Sequence, residues 1–154
     1  MRLFRIGDTR HPLWSGQGAA IFGDRWNSPG LPVIYCARTQ AGAMLEVLVH
    51  ANIGHVPKHH GLVIVDLPAD SRIERRPAET LPQGWDGDDL TIPRAFGDQW
   101  IREQRSLILM VPSVVSKLDF NAVVNCSHPD FSSLKPSAIQ SVAWDRRLWE
   151  QRAN

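Results

Sequence analysis

The sequence predicts an α+β fold in which a bent or two-layer, mostly antiparallel sheet carries a few helices. Two observations favour this class: predicted strands outnumber predicted helices, and only about two stretches show clear helical spacing. The 154 residues suit one domain with one sizeable core. No internal repeat, low-complexity tract or linker divides the chain, so residues 1–154 are predicted to form a single domain.

The strands are predicted from short runs of β-branched and aromatic residues that glycines and prolines bound. In chain order these runs cover residues 3–6, 19–22, 31–37, 61–68, 72–76, 106–115, 120–125 and 141–149. The run "GLVIVDLP" at 61–68 is the strongest strand signal, and Pro112 breaks the run at 106–115. The stretch "HPDF" between the last two strands indicates a turn or a short helix.

Two helices are predicted from apolar residues at helical spacing. The first covers residues about 40–51, with Thr39 as a plausible N-cap. The second covers residues 92–104, where Phe96, Trp100 and Ile101 share one face. A loop is predicted at 52–60, and a longer one at 77–93 is rich in Pro, Gly and Asp. Loops of that length are often functional lids.

Composition and charge exclude several classes of function. The net charge of +1 gives no global attraction to nucleic acid or to an anionic membrane. No apolar run approaches the roughly 20 residues that span a bilayer, and "MRLFRIGDTRH" lacks the apolar core of a signal peptide. The two cysteines show no CxxC spacing, which argues against a disulfide scaffold and fits a reducing compartment. A cytoplasmic protein is expected.

No cofactor motif or metal motif is evident. His55, His59 and His60 cluster in "GHVPKHHG", but no acidic residue or cysteine stands at ligand spacing, which favours a solvated loop. We therefore expect no metal. The chain has neither a P-loop nor a G-x-G-x-x-G motif, and no serine lies in a G-x-S-x-G elbow.

Glu46 stands out because it interrupts the most apolar helical run of the chain. It shares a narrow side of the predicted helix with Gly42, Ala43 and His50, and the small residues leave room for a ligand. A carboxylate among apolar groups must be paired, protonated or in contact with a ligand. The alternative is an exposed glutamate on the one polar stripe of an amphipathic helix.

Other polar or aromatic residues allow two interpretations each. Arg25 could grip a phosphate or pair with a nearby acid, and Trp26 could stack on a flat ligand. Tyr35 is the single tyrosine and lies in a predicted buried strand, so its hydroxyl bonds either to backbone or to a ligand. Ser106 and Ser113 are either strand-end serines bonded to backbone or donors to a phosphate or ribose.

Together these residues resemble a known family. The segments "FRI" at 4–6, "GQGAAIFGDRWNSPGLPVIYCARTQAGAMLEVLVH" at 16–50, "LILMVPSVV" at 107–115 and "NAVVNCSHPDF" at 121–131 are similar to RES-domain toxins of RES–Xre toxin–antitoxin pairs. The resemblance spans nearly the whole chain. Two departures are Asp24, where a glycine is more common, and Cys126, where a proline commonly follows the asparagine. Neither departure removes a catalytic group.

The resemblance implies a fold like that of ADP-ribosyltransferase toxins and an activity that degrades NAD. The nicotinamide–ribose bond would be cleaved by hydrolysis or with phosphate as the acceptor, and a cognate Xre-type antitoxin would block the site. The implied catalytic residues are Arg25, Tyr35, Glu46 and Ser106, with Ser113 as the alternative serine. The implied NAD-binding residues are Arg5, Arg25, Trp26, Tyr35 and Ser113.

The implied chemistry explains why a carboxylate would stand in an apolar helix. Loss of nicotinamide gives the ribose oxocarbenium character, which a carboxylate stabilises. Two alternatives stay open: a transferase that modifies a protein with ADP-ribose, and a module that binds NAD without turnover. Trp144 and Trp149 could form a partner surface, which allows a homo-oligomer.

Overall fold

The computed structural model describes residues 1–51 and 57–148, which contain seven strands and three α-helices. The strands are β1 (Arg2–Asp8), β2 (Val33–Ala37), β3 (His60–Asp66), β4 (Ile73–Arg75), β5 (Ile108–Pro112), β6 (Phe120–Asn125) and β7 (Gln140–Ser141). The helices are α1 (Gln17–Phe22), α2 (Gln40–His50) and α3 (Thr91–Glu103). Short 3₁₀ helices cover Ala78–Thr80, Pro129–Ser133 and Arg146–Leu148.

All seven strands belong to one sheet in the order β4-β5-β6-β2-β1-β3-β7. Every pairing is antiparallel except that of β4 with β5. The predicted α+β class and the mostly antiparallel sheet are therefore confirmed. None of the helices within residues 1–51 and 57–148 is both long enough and apolar enough to cross a membrane.

The pairing between β1 and β2 is much shorter than that between the other long strands. These two strands pair only at Phe4 and Ala37, whereas β1 pairs with β3 along its whole length. The Arg5 guanidinium lies beside this opening: its Nη1 donates to the Tyr35 carbonyl at 2.9 Å and its Nε to the Leu13 carbonyl at 2.5 Å. The side chain thus satisfies a carbonyl of β2 beyond the single β1–β2 pair. The two halves of the sheet separate here, which leaves room for a cavity.

The two faces of the sheet bury separate apolar clusters, because side chains alternate along each strand. In β5, Ile108 and Met110 enter one cluster, whereas Leu109 and Val111 enter the other. The second cluster also contains Trp100 and Ile101 of α3, together with three residues from loops: Trp26, Leu81 and Trp85. Packing of α3 against this face brings the loop at 23–28 under the helix.

Both predicted helices are present, with the ends shifted by a residue. The Thr39 hydroxyl accepts a hydrogen bond from the Gly42 amide at 2.9 Å, which confirms the N-cap of α2. The helix ends at His50 rather than at 51. Helix α3 ends where Gln104 adopts a left-handed conformation, with φ of 49°.

Two strand predictions are wrong. Residues 19–22 lie in α1, because amides of residues 20 and 23 bond carbonyls four residues earlier (Ala20 N to Gly16 O at 2.9 Å, Gly23 N to Ala19 O at 2.8 Å). The closing strand covers only Gln140–Ser141 instead of 141–149. There Asp145 accepts from the Arg147 amide at 2.9 Å, and this local turn replaces an extended chain.

The remaining segments agree in outline with the predictions. Strand β2 begins at Val33, directly after Pro32, which has no N–H for a ladder. The long loop at 77–93 has one short 3₁₀ helix and runs into α3 at Thr91. Trp144 is half-buried, whereas Trp149 and residues 52–56 of the predicted 52–60 loop lie outside the described residues.

A close approach of α3 to the loop at 23–28 generates a stability prediction. A Cβ placed on Gly97 would lie 1.9 Å from the Trp26 carbonyl oxygen, so no side chain fits without moving the backbone. We expect Gly97→Ala to lower the free energy of unfolding by about 1–3 kcal/mol, measured by urea denaturation.

The matched control is Gly18→Ala in α1. A Cβ at that helical glycine meets nothing within 4 Å, so alanine should be neutral or slightly stabilising. Equal stabilities of the two variants would contradict the close packing of α3 on Trp26.

Candidate active site

A cavity of about 640 Å³ lies where β1 and β2 separate. Strand residues, the loop at 23–28 and helix α2 form its walls. Among its lining side chains are five predicted site residues and one asparagine of β6: Arg5, Arg25, Trp26, Tyr35, Glu46 and Asn121. Residues that are distant in sequence therefore line one cavity.

Glu46 points into this cavity and is held by two hydrogen bonds. Its Oε1 accepts from Ser113 Oγ at 2.8 Å and from Asn121 Nδ2 at 2.7 Å. Its Oε2 has no hydrogen-bond partner among the described residues. The side chain is half-buried, so the alternative of an exposed glutamate on a polar stripe does not hold. The carboxylate is fixed through one oxygen and leaves the other for a ligand.

The direction of the Ser113 bond follows from its other contacts. Ser113 Oγ accepts from the amides of Val115 at 3.1 Å and Ser116 at 3.0 Å. These two donors occupy its lone pairs, so the hydroxyl proton is directed to Glu46. Ser113 is buried and sits at the start of the β5–β6 loop, which makes it a rigid donor. Of the two candidate serines, Ser113 is the one that contacts Glu46.

Ser106 lies elsewhere, and its predicted catalytic role does not fit its position. Its hydroxyl accepts from Trp100 Nε1 at 2.8 Å and donates to the Ile108 carbonyl at 2.8 Å. It is buried between α3 and β5 and does not line the cavity. Its hydroxyl is used to bond the buried Trp100 indole and a backbone carbonyl, so the structure gives Ser106 a structural role. Sequence position alone did not separate it from Ser113, since each flanks the same strand.

Tyr35 organises the loop that carries Arg25. Its hydroxyl donates to Asn27 Oδ1 at 2.7 Å and accepts from the Trp26 amide at 3.0 Å. Burial raises the pKa of Tyr35 well above its ordinary value, so the phenol stays protonated. Asn27 is fully buried, and its Nδ2 donates to carbonyls on both sides of the loop, including that of Ala19 at 2.8 Å.

Arg25 binds backbone carbonyls of the long loop rather than a nearby acid. Its Nη1 donates to the carbonyls of Trp85 at 3.0 Å and Gly87 at 2.8 Å. Its Nε and Nη2 have no partner within the described parts of the chain. The guanidinium is half-buried, lines the cavity and is held by one nitrogen. The N–H groups that remain are available to an anionic ligand.

Two side chains of helix α3 form hydrogen bonds with the backbone on both sides of Arg25. Arg94 Nε donates to the Asp24 carbonyl at 2.9 Å, and the Ser28 amide donates to Asp98 Oδ1 at 2.8 Å. Sequence reasoning missed both residues, because their partners are backbone groups distant in sequence. The i, i+4 spacing of Arg94 and Asp98 on one helix face was the available signal.

Two further residues of the cavity wall have limited chemical roles. The ring of Trp26 stacks on Trp85 with centroids 6.1 Å apart and meets the edge of Phe96 at 6.0 Å. It is only 3% exposed, so the predicted stacking face for a ligand is occupied by the core. Burial raises the pKa of the Cys36 thiol to about 12, which makes it a poor nucleophile.

Two histidines lie at the cavity wall. His50 Nδ1 is 2.7 Å from the Glu46 carbonyl, and His60 Nδ1 is 3.1 Å from the Lys58 carbonyl. Since a carbonyl oxygen only accepts hydrogen bonds, each Nδ1 donates its proton to the carbonyl. Within residues 1–51 and 57–148, no three or more His, Cys, Asp or Glu side chains are arranged to hold a metal. His55 of the predicted cluster lies outside these residues.

Comparison with known families assigns the chain to a family. The model of the family described as "RES domain" matches residues 2–145. The chain belongs to the RES domain family. The match covers Arg25 and Glu46 and also the β5–β6 loop that supplies Ser113.

Several relatives of this RES chain are named as toxins. It is 36% identical over 137 residues to the "Prs ADP-ribosylating toxin" of Sphingobium sp. (strain YBL2), covering 87% of this chain and 85% of that one. It is 33% identical over 153 residues to "Toxin Res" of Yersinia enterocolitica, covering 96% and 99%. The structure of the M. tuberculosis MbcT–MbcA toxin–antitoxin complex contains a similar fold, with a TM-score of 0.73 at 22% identity over 90% of this chain and 81% of that chain.

The Tyr35–Asn27 contact generates a testable coupling. We expect Tyr35→Phe to lower the free energy of unfolding by about 1–3 kcal/mol, because the buried Trp26 amide loses its acceptor. Asn27→Ala should be destabilising as well. The double variant should lose clearly less than the sum, since both changes break one network.

The measurement is urea unfolding of the four proteins in this cycle. Additive losses within the experimental error would mean that the Tyr35 hydroxyl does not act through Asn27.

Proposed function

We propose that this chain is the toxin of a toxin–antitoxin pair and that it consumes NAD by cleaving the nicotinamide–ribose bond. The observation that carries the proposal is Glu46, whose carboxylate is oriented by Ser113 and Asn121 inside a cavity that two arginines also line. A held carboxylate next to cationic anchors suits a substrate with a cationic reacting end and an anionic middle.

The cavity has a suitable size and composition for a dinucleotide. Its volume of about 640 Å³ lies in the usual range of about 300–1,000 Å³ for small-molecule sites. Its walls combine apolar side chains such as Phe4, Ile6 and Val47 with polar and charged ones, among which are Asp24 and two histidines. The apolar part of the walls lowers the local dielectric constant, which strengthens the electrostatic interactions inside the cavity.

The reaction asks for charge stabilisation more than for a strong nucleophile. The C–N bond to the nicotinamide breaks with its electron pair on the departing neutral ring, and positive charge develops on the ribose. Glu46 Oε2 is free to face that charge or to bind the ribose hydroxyls. Water or phosphate then adds an oxygen to the same carbon, and an attacking water releases its extra proton to solvent. Because the Ser113 and Asn121 hydrogen bonds already hold Glu46 Oε1, the carboxylate has to move little when the charge on the ribose develops.

The two arginines fit the diphosphate of the substrate. Arg5 is held by the Leu13 and Tyr35 carbonyls, and Arg25 by the Trp85 and Gly87 carbonyls. Each guanidinium keeps N–H groups without partners among the described residues. A guanidinium that is already immobilised loses little side-chain entropy when a phosphate binds.

The comparisons support the toxin role and suggest the partner. Relatives covering most of the chain are named as toxins, and the similar fold was solved with an antitoxin. We therefore propose that a cognate antitoxin, of the Xre type by the resemblance, covers this cavity in the resting cell. NAD loss would arrest growth when the antitoxin is removed.

Transfer of ADP-ribose to a protein is the second candidate function. The "Prs ADP-ribosylating toxin" at 36% identity is the observation that favours it. Both reactions use the same bond of NAD and differ in the acceptor. Incubation with NAD labelled in the adenylate separates them: label on a protein indicates transfer, and label on free ADP-ribose or its phosphate indicates NAD degradation.

The role of Glu46 is tested by Glu46→Gln. Glutamine keeps an oxygen that can accept from Ser113 and Asn121 but replaces the free carboxylate oxygen by an amide. We expect nicotinamide release to fall about 100-fold or more with little change in the unfolding transition. Glu79→Gln, an exposed glutamate outside the cavity, is the matched control and should retain the wild-type rate. Near wild-type turnover of Glu46→Gln would overturn the mechanism.

The two serines give a second test. Ser113→Ala should lower kcat about tenfold or more, because Glu46 loses one of its two donors. Ser106→Ala should destabilise the protein by about 1–3 kcal/mol while the rate per folded molecule stays unchanged, because only the Trp100 indole loses a partner. Kinetics and urea unfolding of both variants check this. The opposite pattern would restore Ser106 as the functional serine.

A further inference from the structure

We propose that Lys117 is a positioning residue for Arg25 and that it acts through residues 85–87. This inference rests on the proposed function, because Arg25 matters as an anchor for the NAD phosphates. Lys117 belongs to the β5–β6 loop and does not line the cavity, and sequence reasoning did not single it out.

Lys117 and Arg25 hold the same three residues of the long loop. Lys117 Nζ is 2.6 Å from Asp86 Oδ2 and 5.4 Å from the centroid of the Trp85 ring. The carbonyls on either side of Asp86, those of Trp85 and Gly87, are the two that accept from Arg25. Any rotation of this short segment would therefore move the acceptors that fix the guanidinium.

Few other contacts fix these carbonyls. The loop is anchored in the core by Leu81 and by the ring of Trp85, both buried. Beyond Trp85, the described residues give the backbone of 86–87 one local turn, in which the Gly87 amide donates to the Gly84 carbonyl at 3.2 Å. Gly84 has φ of 88° and carries no side chain, so it adds no side-chain restraint to the turn. The Lys117–Asp86 pair supplies the missing restraint.

The loop that carries Lys117 is itself well ordered by hydrogen bonds. The Ser113 amide donates to the Asp119 carbonyl at 2.9 Å, and Ser116 Oγ donates to Asp119 Oδ2 at 2.8 Å. The same loop begins with Ser113, which holds Glu46. One short loop thus fixes the carboxylate through Ser113 and, through Lys117 and residues 85–87, the guanidinium.

A purely structural role would predict a different result. Lys117 and Asp86 are more than 40% exposed, and exposed ion pairs contribute little to folding. A small displacement of an anchor for the substrate phosphates, in contrast, weakens the binding of substrate and transition state alike, which raises KM. Loss of Lys117 should therefore leave stability nearly unchanged and alter the interaction with NAD.

The experiment compares Lys117→Ala, Lys117→Arg and the matched control Lys135→Ala, an exposed lysine that does not line the cavity. We expect Lys117→Ala to raise KM for NAD about three- to tenfold with kcat changed less than twofold. Lys117→Arg should restore most of the loss, and Lys135→Ala should match wild type. An unchanged KM for Lys117→Ala would overturn the proposal.

A double-mutant cycle with Arg25→Ala tests the route. If Lys117 acts through Arg25, Lys117→Ala should have no further effect on KM once Arg25 is absent. An equal additional increase in that background would show an independent role and contradict the proposal.

Binding of NAD to Glu46→Gln variants separates failure of this inference from failure of the proposed function. Isothermal titration compares Glu46→Gln with Glu46→Gln carrying Lys117→Ala. A three- to tenfold weaker Kd supports Lys117 even if wild type releases no nicotinamide. An unchanged Kd, or no NAD binding at all, overturns the role of Lys117, and the latter removes the NAD site as well.

Discussion

The hydrogen bonds from Ser113 and Asn121 to Glu46 are the interaction on which the site depends. They connect helix α2 to strand β6 and to the loop between β5 and β6. The helix itself buries only Ala43 completely, so apolar packing alone holds it loosely. A carboxylate in this setting must be satisfied, and satisfying one oxygen orients the other. The same contacts therefore order the helix and prepare the site.

The opening between β1 and β2 is the second constraint. Strands that paired fully would leave carbonyls such as that of Tyr35 inside a ladder and would close the cavity. Instead the Arg5 guanidinium donates a hydrogen bond to that carbonyl, and Arg5 also lines the cavity. On the opposite wall Arg25 is tied to the long loop, and Tyr35 with Asn27 holds the backbone around it. Arg5, Arg25 and Asn27 donate to backbone carbonyls, and the Tyr35 hydroxyl bonds Asn27 and the Trp26 amide, so these side chains are held before substrate arrives.

Much of this could be predicted from the sequence, and the failures have physical causes. Helices α2 and α3 and the long apolar strands follow from local periodicity and capping, which the sequence shows directly. The strand predictions for residues 19–22 and 141–149 failed because local hydrogen bonds, in α1 and at Asp145, determine the conformation of these short runs. Arg25 and Glu46 were identified through the family motif. The choice of Ser113 over Ser106 and the burial of the Trp26 ring could not be predicted from the sequence. Each depends on a contact with a residue more than 50 positions away.

Nicotinamide release by the purified, antitoxin-free protein tests the central claim most directly. The protein is incubated with NAD in the presence and absence of phosphate, and nicotinamide and the ADP-ribose product are separated by chromatography. The account predicts multiple turnovers, with free ADP-ribose or its 1-phosphate as the second product according to the acceptor. A folded protein that binds NAD but releases no nicotinamide under either condition, alone or with cell extract as a source of acceptors, would contradict it.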